Sequence, residues 1–430
     1  MTLTFKSPRH RLRAWGQNFT GHFFEYYRRQ IMVLALVVLL SCGLIHRGRA
    51  EDTFTYRYEK YQEGSGRIGV ETHSGSFDVT LRPWLSFKGE VVNDAVSGAT
   101  PTGRPAAGAT PAGSYGDTYY GNSFDTAYMK DNRMGGFGEP TFTFGANRIS
   151  TQISYSGESD YISRGVALNY SRDFNQKNTT LNIGWSHDFD TIEQGNSPYS
   201  TLFENGNLKK DADEFIIGVN QLLGPKTILT ANFEVGYANG YLGDPYKGFW
   251  FYDGSGNPES RPGQRTKEIV YAGLTQFITP LDASVEGSYR FYTDTFGVTA
   301  HTVSLAWYQK LGRQVVVAPS FRYYFQTAAD FYHVTLPGYF NAHAPDTFLP
   351  GDMLPDGNIQ PELPRYYSAD YRLSQLQSMT IGVSINWKVV DHFYIDAAYE
   401  RYIMQGLDGV TDQGVYPNAN VFTVGARVTF

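Results

Sequence analysis

From Phe422 to the last residue the chain alternates strictly. Phe422, Val424, Ala426, Val428 and Phe430 fall on one side of the repeat, and Thr423, Gly425, Arg427 and Thr429 on the other. A two-residue period is that of a β-strand with one apolar face. With an aromatic at its end, it fits a strand with lipid on one side and a polar lumen on the other. The pattern recurs in Phe393, Ile395, Ala397 and Tyr399; in Met379 to Trp387; in Leu229 to Tyr237; in Leu181, Ile183 and Trp185; and in Ile149 to Tyr155. Tight turns such as Leu223-Gly224-Pro225-Lys226, Thr279-Pro280-Leu281 and Leu311-Gly312-Arg313 alternate with long polar stretches near 190–212, 239–266 and 327–376. A soluble β-sandwich alternates too. Short turns on one side, long loops on the other and outward faces rich in Tyr, Trp and Phe favour a barrel.

The expected fold is therefore all-β, a transmembrane antiparallel barrel of about 14 strands, with 12 to 16 compatible with the spacing. Twelve strands are expected from residue 147 onward, and two more near 56–73 and 77–93. The segment 94–146 (GATPTGRPAAGATPAGSYG and its flanks) does not alternate and reads as a loop without a core of its own. If both ends of the barrel lie in the periplasm, strand parity sends this segment to the periplasm or back into the lumen. A further strand at Pro140-Thr141-Phe142-Thr143-Phe144 would reverse that parity.

Composition agrees. Aromatics make up 16% of the chain while mean hydropathy is -0.37, so the rings are spread singly among polar residues. Residues 1–50 carry Lys6, Arg9, Arg11, Arg13, Arg28 and Arg29 ahead of the apolar run Ile31–Leu40, and end on Gly48-Arg49-Ala50. This reads as a secretory signal peptide cut after Ala50. A rival reading is lipidation at Cys42, within a loose lipobox, Leu39-Leu40-Ser41-Cys42. Cys42 is the chain's one cysteine, so residues 51–430, read as a single barrel, have no disulfide, cysteine ligand or cysteine nucleophile. Removing residues 1–50 takes away eight of 36 bases and one of 42 acids, leaving a net charge of -13. That argues against nucleic acid as a partner. After residue 50 no apolar run approaches 18 residues, so a membrane span has to be a closed barrel.

Asp94-Ala95-Val96-Ser97-Gly98-Ala99-Thr100-Pro101-Thr102-Gly103, Ser159-Asp160-Tyr161-Ile162-Ser163 and Asn175 to Thr180 resemble a bacterial family of exported proteins catalogued as a domain of unknown function, DUF3570. Within the first motif Asp94, Ser97, Gly98 and Pro101 carry the likeness. It covers about Tyr56 to Phe430 and implies an outer-membrane barrel; it implies no activity.

Candidate chemistry is sparse. Ser186-His187-Asp188 is a linear catalytic set, but on a strand His187 faces away from the other two. The chain is therefore not expected to be an enzyme. His333 and His343 share a polar stretch with Asp330, Asp346 and Asp352, where exposed loop residues are the simpler reading than a metal site. The acids after Asp94 lack the spacing of an EF-hand loop. No nucleotide or haem motif is present, and no cofactor is expected. Strand phase points Arg82, Lys88, Glu90, Glu234, Glu286, Arg290, Arg322, Asp396, Glu400 and Arg427 inward, because on lipid each base would cost roughly 2–4 kcal/mol at midplane. Glu286 and Arg290, too far apart to pair, are expected to find partners such as Arg322 or Glu234. These charges either fill the barrel as an ion-paired network or line a polar conduit with constrictions of both signs. The functional expectation is a transport or export conduit in the outer membrane of a Gram-negative bacterium. The alternative is a docking barrel that holds a periplasmic or extracellular partner. Expected partners are outer-membrane lipid and the barrel-insertion machinery, which would read Phe422, Gly425 and Phe430 as a closing-strand signal.

Overall fold

Each amphipathic segment turns back on its neighbour, so the ladder follows chain order. The computed structural model describes residues 52–105, 124–195, 197, 199–250, 256–334, 336 and 364–430. The expected signal peptide, with Cys42, lies outside them. The strands are β1 (Thr53–Glu63), β2 (Gly69–Arg82), β3 (Leu85–Pro105), β4 (Phe124–Phe144), β5 (Asn147–Gly157), β6 (Tyr161–Phe174), β7 (Thr179–Ile192), β8 (Leu208–Gly224), β9 (Thr227–Gly240), β10 (Gly248–Trp250), β11 (Gly256–Pro258), β12 (Gln264–Ile278), β13 (Ala283–Asp294), β14 (Thr299–Leu311), β15 (Val315–Gln326), β16 (Leu376–Val390), β17 (Phe393–Gly406) and β18 (Asn418–Thr429). Sixteen form one closed antiparallel barrel, and β10 with β11 forms a separate two-stranded sheet. Closure runs from Thr53 opposite Thr429 to Glu63 opposite Ala419, and the Phe430 N–H donates to the Asp52 carbonyl at 2.9 Å. A closed ring leaves no sheet edge for lipid to meet.

The outward face is apolar. Trp185, Phe215, Ile217, Phe233, Val270, Leu274, Leu305, Ile381, Val383 and Phe422 are exposed. At the end that holds both termini the turns are short. In one of them Gly145 takes φ +61°, with open space where a Cβ would stand, and Trp84 stacks on Phe142 at 6.2 Å between centroids.

Two strands exceed the expected fourteen. The stretches 56–73 and 77–93 hold three strands, β1 to β3, because the turn at 64–68 falls within the first. The segment 94–146 is also corrected: 94–105 and 124–144 are wall, paired from Leu85 opposite Phe142 to Pro101 opposite Thr126. β4 escapes a pattern search because its outward face borrows neighbours' rings. A Cβ on Gly138 would touch the Phe87 ring, and one on Gly89 would clash with Phe77, which stacks on Phe87 at 5.7 Å. Rings laid over strand glycines supply the apolar surface that the strand lacks. With β4 in place the parity reverses, and the β3–β4 hairpin points to the end opposite both termini.

The packed core sits at that opposite end, in the loops. Phe296, Val298, Ala329, Phe331 and Leu373 form one buried cluster, and Phe249 with Leu336 another. The stretches 239–266 and 327–376, expected to be merely polar, thus carry buried apolar anchors.

Candidate functional site

A chamber of about 740 Å³ lies beneath these loops. Asp188, Asp190, Lys210, Ala212, Glu214, Gly236, Arg265 and Lys267 line it from the wall, which fixes the inward phase of β7, β8, β9 and β12. Cross-strand pairing carries that phase round the ring. Glu234 faces Ile269, Arg290 faces Tyr271 and Thr302, Glu286 faces Ala306, and Arg322 faces Ser304 and Thr380. Glu400 faces Gly382, Asp396 faces Gly425, Arg427 faces Thr55, and Lys88 with Glu90 faces Asp78 and Ser76. Arg82 stands apart. A register shift between Thr80 and Arg82 breaks the phase, and it lies exposed at the rim, donating to the Leu81 carbonyl at 2.9 Å.

None of these nine inward charges is buried. Among the described residues only Asp396 of the nine has an ion-pair partner, Arg57 at 3.8 Å. Glu286 and Arg290 do not pair with Glu234 or Arg322. Glu286 accepts from the Tyr308 hydroxyl at 3.4 Å, and Arg290 lies over the Tyr292 ring at 5.6 Å. Arg322 lies over Tyr324 at 5.7 Å and Arg427 over Tyr394 at 4.5 Å. Aromatic faces hold these guanidinium groups without neutralising them.

The chamber differs, for its bases are spent. Lys210 pairs with Asp190 at 2.7 Å, Lys267 with Glu214, and Arg265 with Asp294. Arg261 pairs with Glu259 and Asp370, both at 2.8 Å. Arg372 reaches Asp244 at 2.7 Å and Asp370 at 2.8 Å. Nine carboxylates and five bases line the cavity. Asp131, Glu158, Asp160 and Asp188 have no basic partner among the described residues. The first three bring one carboxylate oxygen each within 4.8 Å of the others. Asp160 is held by the Tyr246 hydroxyl and Asp131 by Ser159 Oγ at 2.8 Å. Burial, with the neighbouring acids, pushes the Glu158 and Asp160 carboxyls up. In the sequence Asp160 stands in the Ser159–Ser163 motif, Asp131 is one of the acids after Asp94, and Glu158 carries no signal; only the β4–β5–β6 register brings them together.

The loop plate over the chamber is built on charge. Ser260 and Tyr367 exchange backbone hydrogen bonds at 2.9 and 2.8 Å, placing Glu259 and Arg261 beside Asp370. Asp370 is 2% exposed. Burial alone would raise its carboxyl, but Arg372, Arg261 and Lys247 hold it well below the usual carboxylate range. Burial raises Glu259 despite Arg261. The signs fix the pH response. Stability from Asp370 is complete above the ordinary carboxylate range and lost only as pH falls through its lower folded value, while Glu259 gains relative stability on protonation. The plate should therefore keep its near-ultraviolet circular dichroism from pH 7 to about pH 4. A loss centred near pH 5 would contradict this account.

Of the other candidates, His187 faces outward and bonds Asp213 at 2.8 Å, away from Ser186 and Asp188. His333 is half-buried, which lowers its pKa; His343, Asp346 and Asp352 lie outside the described residues. The family-like motif stands on the outer half of β3, with Asp94 opposite and ion-paired to Arg133, Ser97 opposite Lys130, Gly98 opposite Met129 and Pro101 opposite Thr126.

Among solved structures, the fold is similar to the siderophore receptor PirA from Pseudomonas aeruginosa (12% identity, 89% of this chain and 62% of that one, TM-score 0.40). It is also similar to CdiB from Acinetobacter baumannii (8%, 89% and 61%, 0.45) and to the CymD monoaromatic hydrocarbon channel (8%, 89% and 89%, 0.39). The chain thus spans about three fifths of the length of the first two. No curated protein sequence matches it. A family profile does, over residues 35–426, and the chain therefore belongs to the family described as "Protein of unknown function (DUF3570)".

Proposed function

We propose that the protein is an outer-membrane conduit for small polar solutes. One observation carries the reading: below the chamber, on a closed sixteen-stranded wall, Lys88, Glu90, Glu234, Glu286, Arg290, Arg322, Asp396, Glu400 and Arg427 are not buried and, Asp396 apart, have no ion-pair partner among the described residues. Unpaired charge is costly in a dry interior and cheap beside water. A barrel filled by its own side chains would have matched these charges. The test is reconstitution in planar bilayers. Discrete conductance steps support the conduit. An electrically silent barrel that retrieves a specific partner favours docking instead.

On this reading β18 is also the strand that admits the chain to the membrane. Its outward face, Phe422 and Val424, is exposed. A Cβ on Gly425 would meet the Asp396 carboxylate, and the Phe430 N–H closes the ring on Asp52. Deleting Phe430 should lower outer-membrane levels and leave periplasmic aggregates. Normal insertion of the shortened chain would count against it.

A further inference from the structure

Arg290-Phe291-Tyr292 on β13 and Arg322-Tyr323-Tyr324 on β15 repeat one device. Each arginine faces the lumen and leans toward the loop end, over the tyrosine two residues on, at 5.6 and 5.7 Å from the ring centre. Register puts the two in adjoining rows of the wall. Tyr271, Arg290, Thr302, Tyr324 and Ser378 face one another in turn, and the next row down is Gly273, Ser288, Ser304, Arg322, Thr380 and Tyr402. Neither row holds a carboxylate. Glu286 and Glu400 stand one row lower, but Glu286 turns to the Tyr308 hydroxyl at 3.4 Å and Glu400 lies against Gly382. The arginines lean the other way and have no ion-pair partner among the described residues. Each ring covers a face of its guanidinium and leaves the N–H edge free, and that edge is the fork that grips a carboxylate. The two Cα atoms are roughly 12 Å apart by strand spacing and rise. Only β14, with Thr302 and Ser304, lies between them, so two long side chains can close on one anionic group.

The way in supplies the other half of the ligand. Lys267, on the chamber wall, is four residues above Tyr271 on β12, roughly 13 Å toward the loop end. A solute arriving from that end first meets Asp131, Glu158, Asp160 and Asp188, which have no basic partner among the described residues. Their field repels a bare anion and draws in one that also bears an ammonium group. We propose that Arg290 and Arg322 clamp the carboxylate of solutes that also carry an ammonium group, the chemistry of amino acids and short peptides. That role rests on the conduit reading and gives the conduit its substrate class.

The test titrates the full chain, isolated from outer membranes and held in planar bilayers, with L-lysine and with cadaverine, the same diamine without the carboxylate. L-Lysine seated in the clamp should reduce the potassium chloride current. Arg290→Gln with Arg322→Gln should raise its half-blocking concentration at least ~10-fold and leave cadaverine no weaker, since two positive charges are gone. Heat-modifiable gel mobility confirms that the variant barrel is folded. If the parent conducts but L-lysine does not block it, or blocks the double variant equally well, the clamp is overturned and the conduit stands. Block by inorganic phosphate with L-lysine inert would likewise overturn the assignment to carboxylates. If the parent is silent, the conduit reading falls, and calorimetric titration of the detergent-held barrel with L-lysine judges the clamp by itself. Binding that the double variant loses upholds it, and no binding overturns it.

Discussion

Asp370→Ala opens the loop end of the barrel and leaves the wall standing. The Asp370 carboxylate accepts from Arg372 Nε at 2.8 Å and Arg261 at 2.8 Å, and its Oδ1 caps the Arg372 N–H at 3.1 Å. Removing it leaves Arg261 facing Glu259 alone, at a site shielded from solvent. Breaking one side of a buried ion pair costs about 3–5 kcal/mol. The loop plate has few reserves to absorb that, for among the described residues its largest buried apolar cluster holds five residues. The barrel ladder is independent of it, since every wall strand pairs on both sides. Trypsin should therefore cut the exterior loops of intact vesicles at least ~10 times faster than in the parent, with heat-modifiable mobility unchanged. Cleavage at the parental rate would mean that the plate is held by packing, and that the ion pairs are incidental.

The second large effect concerns the sign of charge that passes. The bases of the chamber are committed to carboxylates, whereas Asp131, Glu158, Asp160 and Asp188 are not. A low-dielectric wall focuses the field of such uncompensated groups into the space it encloses. The conduit should prefer cations, and converting the four to Asn or Gln should reduce the cation-to-anion permeability ratio roughly threefold or more, read from reversal potentials in a salt gradient. Because burial raises Glu158 and Asp160, the preference should begin to fade on acidification before ordinary exposed carboxylates titrate. A ratio near unity in the parent, or one indifferent to the four substitutions, would show that another part of the lumen sets selectivity. Constrictions of both signs, as expected from the sequence, would make a pore only weakly selective. The chamber changes that expectation because pairing cancels its bases and spares four acids.

The sequence by itself determined the wall from β5 to β18. Most strands there write their own two-residue period, although neither face of β12 is clearly apolar, and the turns at the terminal end are too short to hide a further element. The expected inward phase of Glu286, Arg290, Glu400 and Arg427 follows from the same local alternation. The sequence could not count β4, whose outward Gly138 is covered by the Phe87 ring of β3, nor separate β1 from β2 across a turn that looked like strand. Pairing was beyond it as well, because a lumenal partner is set by register across the sheet. Arg290 and Arg322 consequently found tyrosine rings where carboxylates were expected. The tertiary structure alone decided the loop end. Glu259, Arg261 and Asp370 meet through a β-bridge between segments about a hundred residues apart, and Lys247 reaches Pro101 across 146 positions. No periodicity encodes such contacts, for they exist only once a closed ring has brought the far sides of its mouth together.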